Sequence, residues 1–274
     1  MTTLPVDDHA MESALADLTL TAPPNLSADV LVEVGLADRY ATIESPIGPL
    51  YVAWNGRGVS TVGLAVDDAA FAAEHLRQTG RRAHRAAAIP ATLAGRISRR
   101  IAGDRRADVR VDLRGRSPFE RDVLLKAAEI PYGEVRPYGW IAAEIGRPRA
   151  VRAVGTALGH NPVPLIVPCH RVVRTDGSVG QYSLGGPHNK RAILASEGLD
   201  PEAFERRARA GEHYTGSRTT HIVCNPTCRH AQRVMDQHRV WFRSLDAAAE
   251  AGYRPCKVCR PASGAATGAI AAPA

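Results

Sequence analysis

An apolar run closed by a proline, with a thiol and an imidazole directly behind it, sets the tightest limit on this chain. It reads Pro162-Val163-Pro164-Leu165-Ile166-Val167-Pro168-Cys169-His170-Arg171-Val172-Val173, with Asn161 just before it. Pro168 has no backbone donor and pushes Val167 toward extended geometry, so Cys169 should sit where a buried segment turns. A thiol is a weak nucleophile until it loses its proton, and a histidine is the usual acceptor of that proton. His170 is adjacent in sequence, although neighbouring side chains often diverge. The plainer reading is a buried cysteine acting as a small apolar side chain.

At 274 residues the chain fits two modest domains and an appendage. Its net charge is +7, yet residues 1–37 hold six acids (Asp7, Asp8, Glu12, Asp17, Asp29, Glu33) and neither lysine nor arginine. Taking those six negative charges out of +7 leaves +13 on the remainder, a balance suited to a polyanion, nucleic acid first. No basic start leads into an apolar core, and no run approaches about eighteen apolar residues. Neither export signal nor membrane span is therefore expected, and the chain is assigned to the cytoplasm. Five cysteines, four of them near the C-terminal end, then read as reduced thiols or metal ligands.

Residues 1–37 are expected to be a disordered acidic tail, apart from a possible short helix over Met11 to Leu18. Tyr40 to Glu44, Leu50 to Trp54 and Val59 to Leu64 read as a three-stranded antiparallel meander, joined through Pro46-Ile47-Gly48-Pro49 and Asn55-Gly56-Arg57-Gly58. Helices over Ala69 to Gln78 and Ala91 to Ile101 and a strand over Val109 to Leu113 complete a small α/β domain, 38–115. Ser117-Pro118-Phe119-Glu120 carries the marks of a helix start, and that helix should run to about Glu129. A short helix from Tyr138 to Ile145 stops at Gly146. After Arg147-Pro148 another begins, with Val151, Val154, Ala157 and Leu158 at helical spacing, giving a helix-turn-helix candidate. Ala153, Gly155 and Ala157 keep this helix slim enough for its backbone to approach a surface. Thr175-Asp176-Gly177-Ser178 reads as a turn, Gly180 to Gly186 as a glycine-bounded loop around Tyr182 and Ser183, and His188 to Glu197 as a helix stopped by Gly198.

Arg152-Ala153-Val154-Gly155, Asn161-Pro162-Val163-Pro164, Pro168-Cys169-His170-Arg171-Val172, Val179-Gly180-Gln181-Tyr182-Ser183 and Glu197-Gly198 together resemble the signature of the O6-alkylguanine-DNA alkyltransferases. The resemblance implies an α+β protein: a small N-terminal α/β domain ahead of a mainly helical catalytic domain, 116–202, containing the helix-turn-helix. It implies irreversible transfer of the alkyl group of O6-methylguanine, and of O4-methylthymine, from double-stranded DNA to Cys169. His170 would remove the thiol proton through a water and Glu197 would orient the imidazole. Tyr138 would contact the flipped guanine and protonate the leaving base, and Asn161 would hold the hinge before the cysteine segment. Arg152 would replace the extruded base from a helix approaching the minor groove, with Ala153 and Gly155 permitting the approach. Tyr182, Ser183 and the backbone of Val172 would line the base. The thioether product has no good leaving group, so one molecule should act once, as a monomer without a protein partner. Singly, each residue has a duller account: Tyr138 a core aromatic, Glu197 a surface acid, Asn161 a turn residue, Arg152 a solvated arginine.

Residues 203–218 are polar and arginine-rich and read as a linker. In the following stretch, 219–262, Cys224, Cys228, Cys256 and Cys259 form two close pairs, the pattern of a closed four-thiolate zinc site, and so short a module needs its metal to fold. Arg239 to Phe242 reads as a strand and Leu245 to Ala251 as a helix; 263–274 reads as a second disordered tail. Thr219-Thr220, the cysteine spacing and Tyr253-Arg254-Pro255-Cys256 resemble the metal-binding domain of the Ada adaptive-response protein. That likeness makes Cys224 eligible to take a methyl group from a phosphotriester. Asn225 and the stretch Arg229 to His238 depart from the pattern, and a structural or DNA-contacting module is the favoured reading, its zinc taking no part in transfer at Cys169. Two rivals are a lesion sensor that flips alkylated guanine without reacting, which Cys169 argues against, and a zinc-dependent regulator, for which no further helix-turn-helix domain is seen.

Overall fold

The structure, a computed structural model, describes residues 26–174 and 178–262. The expected Met11 to Leu18 helix, most of the Thr175 to Ser178 turn and the 263–274 tail lie outside the described residues. Helix α1 (Leu26–Glu33) precedes strands β1 (Asp38–Ile43), β2 (Leu50–Asn55) and β3 (Gly58–Leu64). Helix α2 (Asp68–Thr79) then carries the chain to β4 (Ala83–Arg85), and α3 (Ala91–Ile101) follows. The sheet order is β3-β2-β1-β4, antiparallel as a meander, with β4 added parallel to β1. Strand β2 is buried along its whole length. Its side chains alternate: Tyr51 and Ala53 join Tyr40 and Phe71 of α2 on one face, while Leu50, Val52 and Trp54 enter the main core on the other. That main core also takes in Val123, Ile141, Val154 and Val163, so the sheet braces the helices that follow it through shared apolar packing.

Three expectations need correction here. Helix α1 occupies part of the acidic segment read as disordered, because Val32 is buried and its carbonyl accepts the Gly56 N–H at 3.1 Å. Gly56 is required there, since a Cβ would lie 2.0 Å from the Glu33 carbonyl oxygen. Val109 to Leu113 makes a single bridge, Val59 to Val111, in place of a strand, as Asp112 turns inward to a buried polar cluster. Asn55 Nδ2 donates to Asp38 at 2.9 Å and to Asp112 at 3.0 Å, and Arg81 Nε donates to Asp38 at 2.6 Å. Finally, the arginine-rich linker is structured: its 203–218 span holds most of a helix and a strand of the C-terminal module, described below.

Helix α4 (Pro118–Ala128) starts at a full capping box between Ser117 and Glu120, as its sequence demands. Strand β5 (Arg136–Pro137) leads into α5 (Tyr138–Glu144), and α6 (Val151–Gly159) completes the helix pair. The segment after Asn161 crosses the interior with Leu165 at a φ of 71°, left-handed backbone that a branched residue adopts only under constraint. It ends in a 3-10 turn, Cys169–Arg171, and β6 (Val172–Val173), which pairs parallel with β5. Helix α7 (Gly186–Ser196) ends at Glu197.

The C-terminal module begins with α8 (Pro201–Arg209), capped by Asp200, and β7 (Tyr214–Ser217). Arg207 of α8 lies 4.1 Å from the ring centre of Trp241, which ties the supposed linker to the module. Strand β8 (Ile222–Cys224), α9 (Arg229–Gln232), β9 (Arg239–Phe242), α10 (Leu245–Glu250) and β10 (Arg254–Pro255) follow, in a sheet of order β10-β8-β7-β9. The whole is a mixed α/β fold, and no described helix is long and apolar enough to cross a membrane.

Asp38 is fully buried, and although burial raises its carboxyl, hydrogen bonds with His75, Arg81 and Ser60 hold it well below the usual range. Replacing it by asparagine breaks the shorter of the two carboxylate pairings of Arg81 and leaves it Asp112 at 3.2 Å. Asp38→Asn should therefore cost about 3 kcal/mol, read as a lower urea midpoint at unchanged slope.

Candidate active site

Cys169 is 5% exposed and its surroundings are specified from several elements. Asn161, at the exit of α6, donates from Nδ2 to Cys169 Sγ at 3.1 Å and to the Val167 carbonyl at 2.9 Å. Its Oδ1 accepts the Val163 N–H at 3.1 Å, so one amide fixes both sides of the turn. His170 Nε2 lies 2.8 Å from Glu197 Oε1, and His170 Nδ1 is buried with no hydrogen-bond partner among the described residues. Glu197 is the anchor of the group: Arg171 donates to it through Nε at 3.0 Å and through a terminal nitrogen at 2.8 Å, and the Gly133 N–H donates at 3.1 Å.

Burial pushes the Cys169 thiol up, against the opposing pull of the Asn161 N–H and the Lys190 charge. Burial also lowers His170, outweighing its bond to Glu197. Both effects favour neutral partners, a protonated thiol beside an unprotonated imidazole. Tyr138, Gly155, Tyr182 and Ser183 join Cys169 around one pocket of about 250 Å³, closed further by Leu158 and Gly159. Desolvation raises the Tyr138 phenol, and a thiolate at Cys169 would raise it more. The Tyr182 hydroxyl is buried and has no partner among the described residues, and its ring stands edge-on to His170 with centres 6.3 Å apart. A methyl group on Gly155 would meet Tyr138 at an ordinary 3.9 Å, so the small residue leaves space in the pocket that the protein itself does not need.

The structure thus brings Tyr138, Gly155, Asn161, Cys169, His170, Tyr182, Ser183 and Glu197 together. Arg152 and Ala153 stand outside the pocket on the exposed face of α6, whose opposite face buries Val154, Ala157 and Leu158. Val172 does not line the pocket: its carbonyl accepts Lys190 Nζ at 2.6 Å. Lys190 is the residue that sequence reasoning missed. It is 1% exposed, its Nζ lies 6.0 Å from the Tyr138 ring centre, and burial lowers it to about 8 despite the favourable charge of Cys169. A signal existed, since Lys190 precedes Ile193, Leu194 and Glu197 by three, four and seven residues and so sits on the buried stripe of its helix.

In the C-terminal module the four sulfurs of Cys224, Cys228, Cys256 and Cys259 lie within 4.8 Å of one another, all buried. Sulfurs about 2.3 Å from a tetrahedral zinc ion fit that spacing. The Asn225 and Val258 N–H groups point at Cys259 and Cys256 Sγ, each at 3.4 Å. The cysteines pack with Ala231 and Ile222 beside a second apolar cluster of Tyr214, Val223 and Ala248, and the module holds zinc as a structural centre. A groove of about 520 Å³ runs beside Cys224 and Cys256, bordered by His230, Arg233, Arg254 and Lys257.

A buried cysteine that lines an open pocket, followed directly by a histidine held on a carboxylate, fits a protein that takes a group onto cysteine, here with a four-cysteine module attached. Comparison with known proteins carries the assignment further. Residues 118–199 match the family "6-O-methylguanine DNA methyltransferase, DNA binding domain", and residues 202–262 match "Metal binding domain of Ada". The methylated-DNA–protein-cysteine methyltransferase of Mycobacterium tuberculosis is 40% identical over 163 residues, covering 58% of this chain and 92% of that protein. Its namesake in Methanosarcina barkeri is 35% identical over 158 residues, covering 53% and 89%. The solved O6-methylguanine methyltransferase of M. tuberculosis aligns with 37% identity and a TM-score of 0.49, covering 58% of this chain and 92% of that one. The chain belongs to the methylated-DNA–protein-cysteine methyltransferase family.

Glu197 gives this arrangement an acid limit. Burial would raise its carboxyl, but the bonds from His170 and Arg171 win and bring it from 4.5 to about 2. A depressed carboxyl stabilises the fold fully above pH 4.5 and loses that contribution as pH falls through about 2. Glu197→Gln should remove this acid-linked part of unfolding and cost about 3 kcal/mol at neutral pH, both read from urea melts across the pH range.

Proposed function

We propose that the chain repairs DNA by moving the methyl group of O6-methylguanine, and in the same way that of O4-methylthymine, irreversibly onto Cys169, one lesion per molecule. The observation that carries this reading is the Cys169 thiol lining an otherwise open pocket while His170 Nδ1 is free and Nε2 is held by Glu197. The catalytic region would be 116–202, braced by the 38–115 domain.

Guanine O6 is shielded inside the duplex, so the nucleotide must leave the stack before Sγ can reach it. Arg152, exposed near the start of α6, would enter the minor groove and fill the gap, with Ala153 and Gly155 letting the helix come close. His170 Nδ1 takes the thiol proton through one water, and Glu197 stabilises the imidazolium. The Asn161 N–H and the Lys190 charge stabilise the thiolate. Sγ then bonds the methyl carbon as the carbon–O6 bond breaks, and the bonding pair stays on the base. Tyr138 gives its hydroxyl proton to that base, and the excess proton on His170 returns to the tyrosinate through solvent. The product is a thioether, without a leaving group to restore the thiol. Zinc takes no part in these steps, and the basic groove beside Cys224 gives its module a face for DNA phosphates.

Incubation with duplex containing O6-methylguanine should add the mass of one methyl group to the Cys169 peptide and none to a Cys169→Ser protein. An unmodified peptide from folded wild type would overturn the reading, and lesion binding without transfer would favour a sensor. The transfer rate should hold steady from below pH 6.5, the ordinary histidine value from which burial lowers His170, up to about 8, the lowered Lys190 value. Below that window His170 becomes charged and cannot accept a proton, and above it Lys190 loses the charge that favours the thiolate. His170→Gln should slow single-turnover transfer by roughly 10² or more while leaving DNA affinity unchanged.

A further inference from the structure

Each cysteine pair of the zinc module sends its neighbouring residue across to the helix that carries Tyr138. From the first pair, Thr227 Oγ1 accepts the Val135 N–H at 2.9 Å and donates to the Val135 carbonyl at 3.3 Å. The Arg229 N–H, one residue past Cys228, points at Glu134 Oε1 at 3.4 Å. From the second pair, Arg260, next to Cys259, meets Glu144 at 2.6 Å. Val135 leads through β5 to Pro137, the N-cap of α5, and Glu144 is the last residue of that helix. The module therefore grips α5 at both ends, and Tyr138 is its first residue. Asn225 joins the two grips, since its N–H meets Cys259 Sγ at 3.4 Å and its Nδ2 the Cys259 carbonyl at 3.3 Å. Thr227, Glu134 and Arg136 are all buried, so the first grip is shielded from competing water, while Arg260 at the second is half exposed.

We propose that the zinc module is a metal-dependent clasp on α5, with Thr227 and Arg260 as positioning residues for Tyr138. The proposal rests on the transfer reading given above. The chemical demand is specific: Tyr138 must meet the base at a fixed distance from Cys169 Sγ, and α5 is a helix of seven residues with one end on the two-residue strand β5. An element that short has little rigidity of its own. The cysteine pairs have few apolar neighbours, so their geometry depends on the ion they hold, and loss of that ion loosens both grips together. Transfer at Cys169 would then depend on metal bound elsewhere in the chain, though the metal touches no reacting atom.

The full chain provides the test, as zinc-loaded wild type, a Thr227→Ala/Arg260→Gln double variant and Thr227→Ser, which keeps the hydroxyl. Zinc content, amide exchange over 134–144 and single-turnover transfer at saturating methylated duplex are measured on each. The double variant should keep its zinc, exchange faster over 134–144 and transfer about tenfold more slowly, while Thr227→Ser matches wild type. An unchanged rate with zinc retained overturns the clasp, even where exchange rises, because the contact would then be packing alone. Should the double variant fail to fold, chelation of the wild type decides: metal loss should deprotect 134–144 and leave α4 protected, and unchanged protection of 134–144 overturns the proposal. Wild type that keeps its zinc and leaves Cys169 unmodified sinks the transfer reading instead, and the exchange arm still reports on the clasp.

Discussion

The carboxylate of Glu197 ties the reacting segment to the rest of the catalytic region. It collects His170 and Arg171 from the 3-10 turn and the Gly133 N–H from the loop after α4, at the end of α7. Arg171 carries the link onward to the Ile130 carbonyl at 2.8 Å. A buried carboxylate is tolerable because its oxygens are met by donors from every side. The same bonds that stabilise it also turn the histidine ring so that Nδ1 faces the unpartnered side. Folding and reactivity are set by one group.

What the sequence revealed was mostly local. The capping box at Ser117, the bounds of α3 and β9 and the turn at Pro168 follow from residues a few positions apart, and these stand where they were read. The failures come from distance. Helix α1 depends on the turn at Gly56, and β4 exists because α2 returns it beside β1; neither contact leaves a periodic trace. The Val109 to Leu113 stretch looked like a strand by composition, yet Asp112 bonds Asn55 across the core and pulls the backbone away from a second ladder partner. Helix α8 is a different case, since Asp200-Pro201 is a helix start that was legible and its arginine content hid it.

The candidate site was legible for a related reason. Its residues lie between Tyr138 and Glu197, close enough in sequence for spacing to carry their relation. Lys190 escaped because a lysine on a helix is ordinarily a solvated one. Only its register with Ile193, Leu194 and Glu197 separates it from Arg191, which faces outward to Glu205. The reach of Thr227 and Arg260 to α5 could not be read at all, since a zinc knuckle announces its metal and not the surface on which it rests.

The protonation state of Cys169 fits a nucleophile used once. An enzyme that turns over many times gains from a standing thiolate, because each cycle benefits from the lowered barrier. A thiolate is also the species that oxidants attack, and an acceptor that is never regenerated loses its whole capacity to a single stray reaction. Burial keeps the Cys169 thiol protonated, and a flipped base filling the pocket would exclude water and strengthen the Lys190 and Asn161 interactions with developing charge. The site trades resting reactivity for preservation. That trade is sensible only where the product stays bound through carbon and sulfur, which ties the raised thiol to the irreversible chemistry.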